Sequence, residues 1–240
     1  MEGLTRESLK PLLELQRIDS AIDRLTARRA NLPEQQKLDE DTTARDEVAT
    51  QHLEIQTLVD EAKREQTRLE HEIALIQEKY DHEETRAQTV SNARELGNIQ
   101  AELDSLKRRK AHSEDDELEV MERLEGIEKQ FAEVDAALKA ADEQVAASTG
   151  ARDAATRDID TELASLRAER QALVPTIDPS LVEVYDEVRV KKGGVAVGAL
   201  EQGVCKACGL PLSPSEKNRL KGSGKVIERC ENCSRILVFV

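Results

Sequence analysis

Apolar residues recur along two long stretches of this chain at alternating steps of three and four. The first stretch is Val48, His52, Ile55, Val59, Ala62, Gln66, Leu69, Ile73, Ile76, Tyr80, Glu83, Ala87 and Val90, with ten of the 13 positions apolar or tyrosine. The second opens at Leu96, Ile99, Leu103 and Leu106 and passes through polar Lys110, Ser113 and Glu117. It resumes with Val120, Leu124, Ile127, Phe131, Val134, Leu138, Ala141 and Val145, and Ala155, Ile159, Leu166 and Leu173 extend it. A sustained 3.5-residue period predicts a left-handed coiled coil with a narrow apolar seam; a helix lying on a globular core would show a wider stripe. The step from Val90 to Leu96 is six residues, so the two seams do not share a register. That gap is the most turn-prone segment of the middle chain, Ser91-Asn92-Ala-Arg94-Glu95-Leu96-Gly97-Asn98. Arms of nearly equal length, about 5–89 and 96–174, flank it. The pattern predicts an antiparallel hairpin with its tip near 91–98; the alternative is continuous helices paired between chains.

Two features modulate the hairpin. Asn31-Leu32-Pro33 interrupts the first arm after the periodic stretch Leu15, Ile18, Ile22 and Leu25, which predicts a kink near 31–34. Residues 34–47 and 146–154 are poor in apolar groups. Beyond the hairpin, Asp178 as N-cap and Pro179 at the first helical position predict a connecting helix through Val190 in segment 175–194, ended by Lys191-Lys192-Gly193-Gly194. Strand-like runs follow: Val195–Val197, Val226-Ile227 and Ile236–Val240. Between them Ser213-Pro-Ser-Glu216 reads as a capping box opening a short helix through Leu220 that stops at Gly222.

Composition supports this picture. Of 240 residues 35% are charged and 2% aromatic, with no tryptophan. So few aromatics argue against a large conventional core. Disorder would share the charge but not the apolar spacing. No apolar run approaches the ~18 residues needed to cross a bilayer, and no apolar stretch follows Arg6 and Lys10. The expectation is a soluble, cytoplasmic, mainly α chain with no membrane partner.

Specific chemistry is concentrated at the C-terminal end. The four cysteines form two C-x2-C pairs, Cys205/Cys208 and Cys230/Cys233, separated by 21 residues. The tight turn within each pair aims both sulfurs into one space, and two such knuckles suit a tetrahedral ion with Zn–S distances of about 2.3 Å. Gly209 and Ser234 follow the pairs where each turn must close. Four thiolates leave no open coordination position, so the expected cofactor is one structural Zn2+, with an iron–sulfur cluster as the lesser alternative. A redox dithiol needs one such pair in a βαβ context, and nothing argues for the oxidising compartment that disulfides require. Segment 195–240 is too small to hold a core alone, so the metal supplies much of its folding energy.

Charge is divided unevenly. Residues 191–240 hold nine Lys/Arg and four Asp/Glu, formally +5, which leaves 26 against 45, formally −19, for the rest. The basic set Lys206, Lys217, Arg219, Lys221, Lys225, Arg229 and Arg235 is a candidate nucleic-acid surface, although Phe239 is the only aromatic there for base stacking. At the hairpin tip Asn92, Arg94, Glu95, Leu96 and Asn98 are candidate protein contacts, since loops on rigid elements often carry binding. His52 falls on the seam without a second ligand at helical spacing. Arg108-Arg109-Lys110 and Asp115-Asp116 read as solvated helix faces. No Ser/His/Asp set, P-loop or G-x-G-x-x-G occurs, so neither an enzyme nor a small-molecule substrate is expected.

The run from Gly193 through Gly203-Val-Cys205-x2-Cys208, the Leu-Pro-Leu-Ser-Pro linker and Arg229-Cys230-x2-Cys233-Ser-Arg-Ile-Leu resemble the bacterial C4-type zinc-ribbon family with an N-terminal coiled-coil hairpin. Ser91-Asn92-Ala-Arg-Glu95-Leu96-x3-Gln100 is similar to that family's mid-chain motif, where tyrosine is more usual at the position of Leu96. The resemblance implies an elongated helical hairpin with a cysteine-only ribbon. It also implies a chaperone-like adaptor role. Studied relatives in flagellated and type III-secreting bacteria bind the nitrogen-type sigma factor, secretion components and, in one branch, flagellin message. An Ala/Arg/Asp-rich composition suggests an actinobacterial member, and many actinobacteria lack flagella and that sigma factor, so the specific partner is not carried over. The expected function is a zinc-stabilised adaptor mediating protein–protein interactions in transcription- or secretion-related regulation. The alternative is a nucleic-acid-binding regulator acting through the ribbon, and the plainest reading is a structural spacer.

Overall fold

A computed structural model describes residues 4–240. After a 3-10 turn at Arg6–Leu9, the elements are α1 (Pro11–Ala30), α2 (Pro33–Thr89), α3 (Ala93–Leu173), a 3-10 turn at Val174–Thr176 and α4 (Pro179–Lys191). They are followed by β1 (Val197–Glu201), β2 (Val204–Cys205), α5 (Pro214–Gly222), β3 (Glu228–Arg229) and β4 (Ile236–Phe239). Two compact units result. One joins the N-terminal residues up to Gln36 to Gly150–Val240, and the other is Lys37–Thr149.

In the second unit α2 pairs antiparallel with α3. Arg45 Nε donates to Asp142 at 2.8 Å, the His52 and Phe131 rings lie 4.8 Å apart, Lys63 pairs with Glu128 at 2.7 Å, and Arg123 pairs with Glu65. Val59, Ala62 and Leu124 form a small buried cluster with Ile127 and Phe131 against it. Every seam position from Val48 to Val90 is buried or half-buried, including His52, Gln66 and Glu83. The polar stretch of the return arm stays on the seam as well, and Ser113 is buried because a hydroxymethyl group fits between facing helices. Where apolar residues give out, a polar cluster replaces them. Asp41 is buried and takes Lys37 Nζ at 2.7 Å, Gln144 Nε2 at 3.3 Å and the Ser148 hydroxyl.

The connection between the arms is tighter than 91–98. Only Val90–Asn92 are non-helical. Asn92 Oδ1 accepts from the Arg94 N–H at 3.0 Å and its carbonyl from the Leu96 N–H at 2.9 Å, so α3 starts at once and takes Gly97 into its first turns. The break at the other end of α2 is equally local. Asn31 and Leu32 leave the helix and Pro33 opens α2 at its first position.

In the first unit α1 packs on the C-terminal part of α3 through Ile18, Ala21, Leu25, Leu32, Ile159, Leu163 and Leu166. A second core joins Leu9, Leu12 and Leu15 to Leu181, Tyr185 and Val188 of α4 and to Val197, Ile236 and Val238 of the sheet. Asp178 caps α4 by accepting from the Ser180 N–H at 2.9 Å. The sheet order is β2-β1-β4-β3, with β1 and β4 parallel at the centre and antiparallel partners outside. Ile236 and Val238 face the helical core while Leu237 faces the cysteine core, so β4 is a continuous apolar run covered on both sides.

Two strand positions differ from the apolar runs that suggested them. β1 begins at Val197 because side chains occupy the preceding backbone. Gln16 Oε1 accepts from the Ala196 and Val197 N–H groups at 2.5 and 3.4 Å, and Arg235 Nε donates to the Val195 carbonyl at 2.8 Å. β3 falls on Glu228–Arg229 because those residues register with Leu237 and Ile236, while Val226 and Ile227 pack on the core outside the ladder. Among the described residues no helix is long and apolar enough to cross a membrane.

Candidate metal centre and the surfaces around it

Each cysteine pair sits at the mouth of a hairpin. β1 and β2 deliver Cys205, and β3 and β4 bracket Cys230 and Cys233. The knuckles close by the same hydrogen bond: the Gly209 N–H donates to the Cys205 carbonyl at 2.8 Å and the Ser234 N–H to the Cys230 carbonyl at 2.8 Å. Both donors stand in the left-handed region, Gly209 at φ 73° and Ser234 at φ 63°. Glycine does this without strain, and serine carries a small cost. Gly198 makes room behind the first knuckle: a Cβ there would lie 2.6 Å from the Ala207 Cβ and 2.9 Å from its nitrogen.

The four Sγ atoms lie within 4.8 Å of one another, and Cys208 Sγ is 4.0 Å from Cys230 Sγ. A tetrahedron of thiolates about 2.3 Å from a zinc ion has edges of about 3.8 Å, so the donor set fits the ion. Cys205 and Cys230 are buried and the other two half-buried, in a small core with Leu212, Leu220 and Leu237. Burial pushes the Cys205 thiol up to about 12 and raises Cys230 as well. Burial also acts upward on Cys233, but the Arg235 N–H and neighbouring sulfurs outweigh it and bring this thiol down to about 7. The cysteines constitute a site for one structural zinc. When bound, the ion supplies a closed four-thiolate crosslink, and the protein's part is to hold two knuckles in register against an apolar wall.

α5 links the knuckles. Its capping box is half formed: the Ser213 hydroxyl accepts from the Glu216 N–H at 3.1 Å, but Glu231 Oε1, not Glu216, accepts from the Ser213 N–H, at 2.6 Å. Glu216 is drawn away by Arg219, whose guanidinium bridges Glu216 at 2.7 Å and buried Glu228 at 3.0 Å and is held above its ordinary value by both.

The structure sorts the basic set. Arg219 is committed to those carboxylates, Arg235 to the Val195 and Lys192 carbonyls, and Lys206 to Glu201 at 3.2 Å. Arg229 is exposed, with one nitrogen 3.3 Å from the Ser234 carbonyl. Lys217, Lys221 and Lys225 have no carboxylate within ion-pair distance among the described residues. The sequence reading missed Arg6, which arrives from the far end of the chain. It donates to the Leu220 and Ser223 carbonyls at 2.9 and 2.6 Å and lies 4.5 Å over the Phe239 ring. It also missed Asp19, wholly inside and joined to Arg170 at 2.7 Å and the Tyr185 hydroxyl at 2.9 Å. A carboxylate within the α1 apolar periodicity was the only available signal.

At the tip Asn92, Arg94, Glu95 and Asn98 are exposed and Leu96 is half-buried. Glu95 pairs with Arg86 at 3.2 Å. His52 leans on Phe131 with Nε2 3.4 Å from Asp135.

Residues 15–193 match the family model described as a CT398-like coiled coil hairpin domain, and residues 204–237 the model described as a C4-type zinc ribbon domain. The uncharacterized protein Rv2229c of Mycobacterium tuberculosis is 31% identical over 235 residues, covering 95% of this chain and 94% of its own. A solved structure from Mycobacterium smegmatis is 30% identical with a TM-score of 0.84, covering 99% of both chains. CT398 from Chlamydia trachomatis shares the fold at 22% identity and a TM-score of 0.65 over 98% of each chain.

Proposed function

This chain belongs to the CT398-like coiled-coil hairpin family with a C4-type zinc ribbon, and on that premise we propose that it is a non-enzymatic adaptor that binds partner proteins. In this reading residues 1–174 are the binding arm, 175–194 the joint and 195–240 the zinc-locked head. One observation carries the reading. The seam positions of Lys37–Thr149 are buried or half-buried between the paired arms while Leu53, Leu58, Leu75, Leu118 and Met121 stay exposed along them, and the arms end at a three-residue connection where Asn92, together with Arg94, Glu95 and Asn98 of the first turns of α3, faces solvent. Rigid paired helices with a polar tip offer a binding surface and no enclosed reaction site. A chaperone-like service in transcription- or secretion-related regulation rests on family likeness alone.

The test is capture from a lysate of the native bacterium with zinc-loaded protein, with and without nuclease, comparing wild type with Arg94→Glu/Asn98→Asp. Adaptor action predicts a defined protein that survives nuclease and is lost with the tip variant. Capture that collapses with nuclease and rising salt would replace this reading with the second one, nucleic-acid binding by the ribbon. Unpaired Lys217, Lys221 and Lys225 are the observation that favours the second reading.

A further inference from the structure

We propose that a cleft between the N-terminal turn and the zinc ribbon is a docking site for an acidic peptide segment of a partner protein, one that sets a leucine-sized side chain beside carboxylates. The cleft encloses about 360 Å³. Its cationic rim is Arg6, Lys217 and Lys221, and its apolar wall is Leu200, Leu220 and Phe239. No carboxylate lines it. The volume suits one apolar side chain with its flanking backbone.

The cations differ in role. Arg6 is fixed by the Leu220 and Ser223 carbonyls, sits over the Phe239 ring and lies 3.9 Å from the buried Glu228 carboxylate, so it shapes the cleft while its charge is partly balanced. Lys217 and Lys221, one helical turn apart on α5, have no carboxylate partner among the described residues and keep their charge for a ligand. The stem of Lys217 lies across Gly203, where a Cβ would come 2.3 Å from its Cε, so the hairpin turn at φ 77° leaves space for that lysine alone.

Charge complementarity and the apolar wall together select the occupant. Single-stranded nucleic acid gains affinity by stacking bases on exposed rings, and the only ring lining the cleft, Phe239, is already covered by Arg6. The chain carries −14 overall, which repels a long polyanion more than a short peptide bearing a few carboxylates. Aliphatic Leu200 and Leu220 have nothing to offer a nucleotide backbone but match an apolar side chain. The inference deepens the adaptor reading and rests on it, placing a peptide site on the ribbon separate from the hairpin tip.

The experiment uses the full zinc-loaded chain and a fluorescein-labelled decapeptide of alternating Glu and Leu. Labelled all-Glu decapeptide and a single-stranded DNA decamer are the comparison probes, all read by anisotropy at near-physiological salt. The variants are Lys217→Met and Lys221→Met, singly and together, because methionine keeps the stem over Gly203 and removes only charge. Lys206→Met, a cation already paired with Glu201 and outside the cleft, is the control. Zinc content and circular dichroism verify folding. The expected result is saturable binding of the Glu/Leu peptide, at least about tenfold tighter than all-Glu. It weakens at least about tenfold in the double variant and is unchanged in Lys206→Met. Equal binding of both peptides, a preference for the DNA, or no binding up to about 1 mM would overturn the proposal. So would wild-type self-association by sedimentation that the double variant abolishes, since the occupant would then be a second copy. Any of these failures leaves tip-dependent capture intact, whereas loss of tip-dependent capture with the peptide still bound would remove only the role of the tip.

Discussion

Asp19→Ala should be the most damaging single carboxylate removal in the first unit. Asp19 is 2% exposed and reaches three elements. One oxygen accepts from Arg170 Nε at 2.7 Å, the other from the Tyr185 hydroxyl at 2.9 Å, and Arg189 Nε stands 3.5 Å away. Tyr185 is wholly buried, and its hydroxyl is pushed well above the ordinary phenol value by burial and then by the Asp19 charge. Removing the carboxylate strands that hydroxyl, at about 1–3 kcal/mol, and breaks a charge-assisted bond worth about 1.5–3 kcal/mol. The arginine side chains are 33% and 25% exposed, so water screens them in part and the lower end applies to the second figure. The total is about 3–4 kcal/mol, in line with breaking a buried pair by removing one partner. Asp23 supplies an internal comparison. It pairs with the same Arg189 at 2.6 Å but its side chain is 49% exposed, so Asp23→Ala should cost about 1 kcal/mol or less. The chain has two tyrosines and no tryptophan. In a Tyr80→Phe background, Tyr185 fluorescence therefore reports the first unit alone during urea unfolding. Equal costs for Asp19→Ala and Asp23→Ala would refute the account, as would an Asp19→Ala cost below about 1 kcal/mol.

Further outcomes follow from the same geometry. Stripping zinc with a chelator should collapse the dispersed amide signals of 197–240 while far-ultraviolet helicity is largely kept, and each single Cys→Ser change should lower zinc content below one equivalent. Gly198→Ala should cost about 1–3 kcal/mol by overpacking against Ala207 and should weaken zinc retention in chelator competition. For Asp41 the hydrogen bond from Lys37, then that from Ser148, holds the carboxyl below its ordinary value of 3.8. A depressed folded value gives stability that is complete above 3.8 and is lost as pH falls through the folded value. The melting-temperature gap between wild type and Asp41→Asn should therefore be constant from pH 7 to about 5 and shrink below 4; a gap that widens on acidification would contradict it. Leu69→Ala, at a seam position 3% exposed, should lower stability by about 2–5 kcal/mol, while Leu53→Ala, 63% exposed, should be near neutral in the same melts.

What the sequence determined by itself was whatever repeats or acts over a few residues. The 3.5-residue period marked the seam, because an underwound helix returns each such position to the same side regardless of what faces it. Asp178, Ser213 and Pro179 marked helix starts and Asn31-Leu32-Pro33 a break in the first arm, because caps and proline act on backbone groups only a few residues away. The two C-x2-C pairs identified the zinc ligands, because a knuckle sets its sulfurs by local backbone geometry. Tertiary structure decided what depends on chain separation. Arg6 meets the Ser223 carbonyl across 217 positions and Gln16 the Ala196 N–H across 180. No periodicity encodes which arginine crosses that distance. The start of β1, the burial of Asp19 and the division of the basic residues into committed and unpaired groups all depend on those crossings. The reason is physical: a backbone or carboxylate partner brought in by the fold can satisfy a side chain that, along the sequence, looks free.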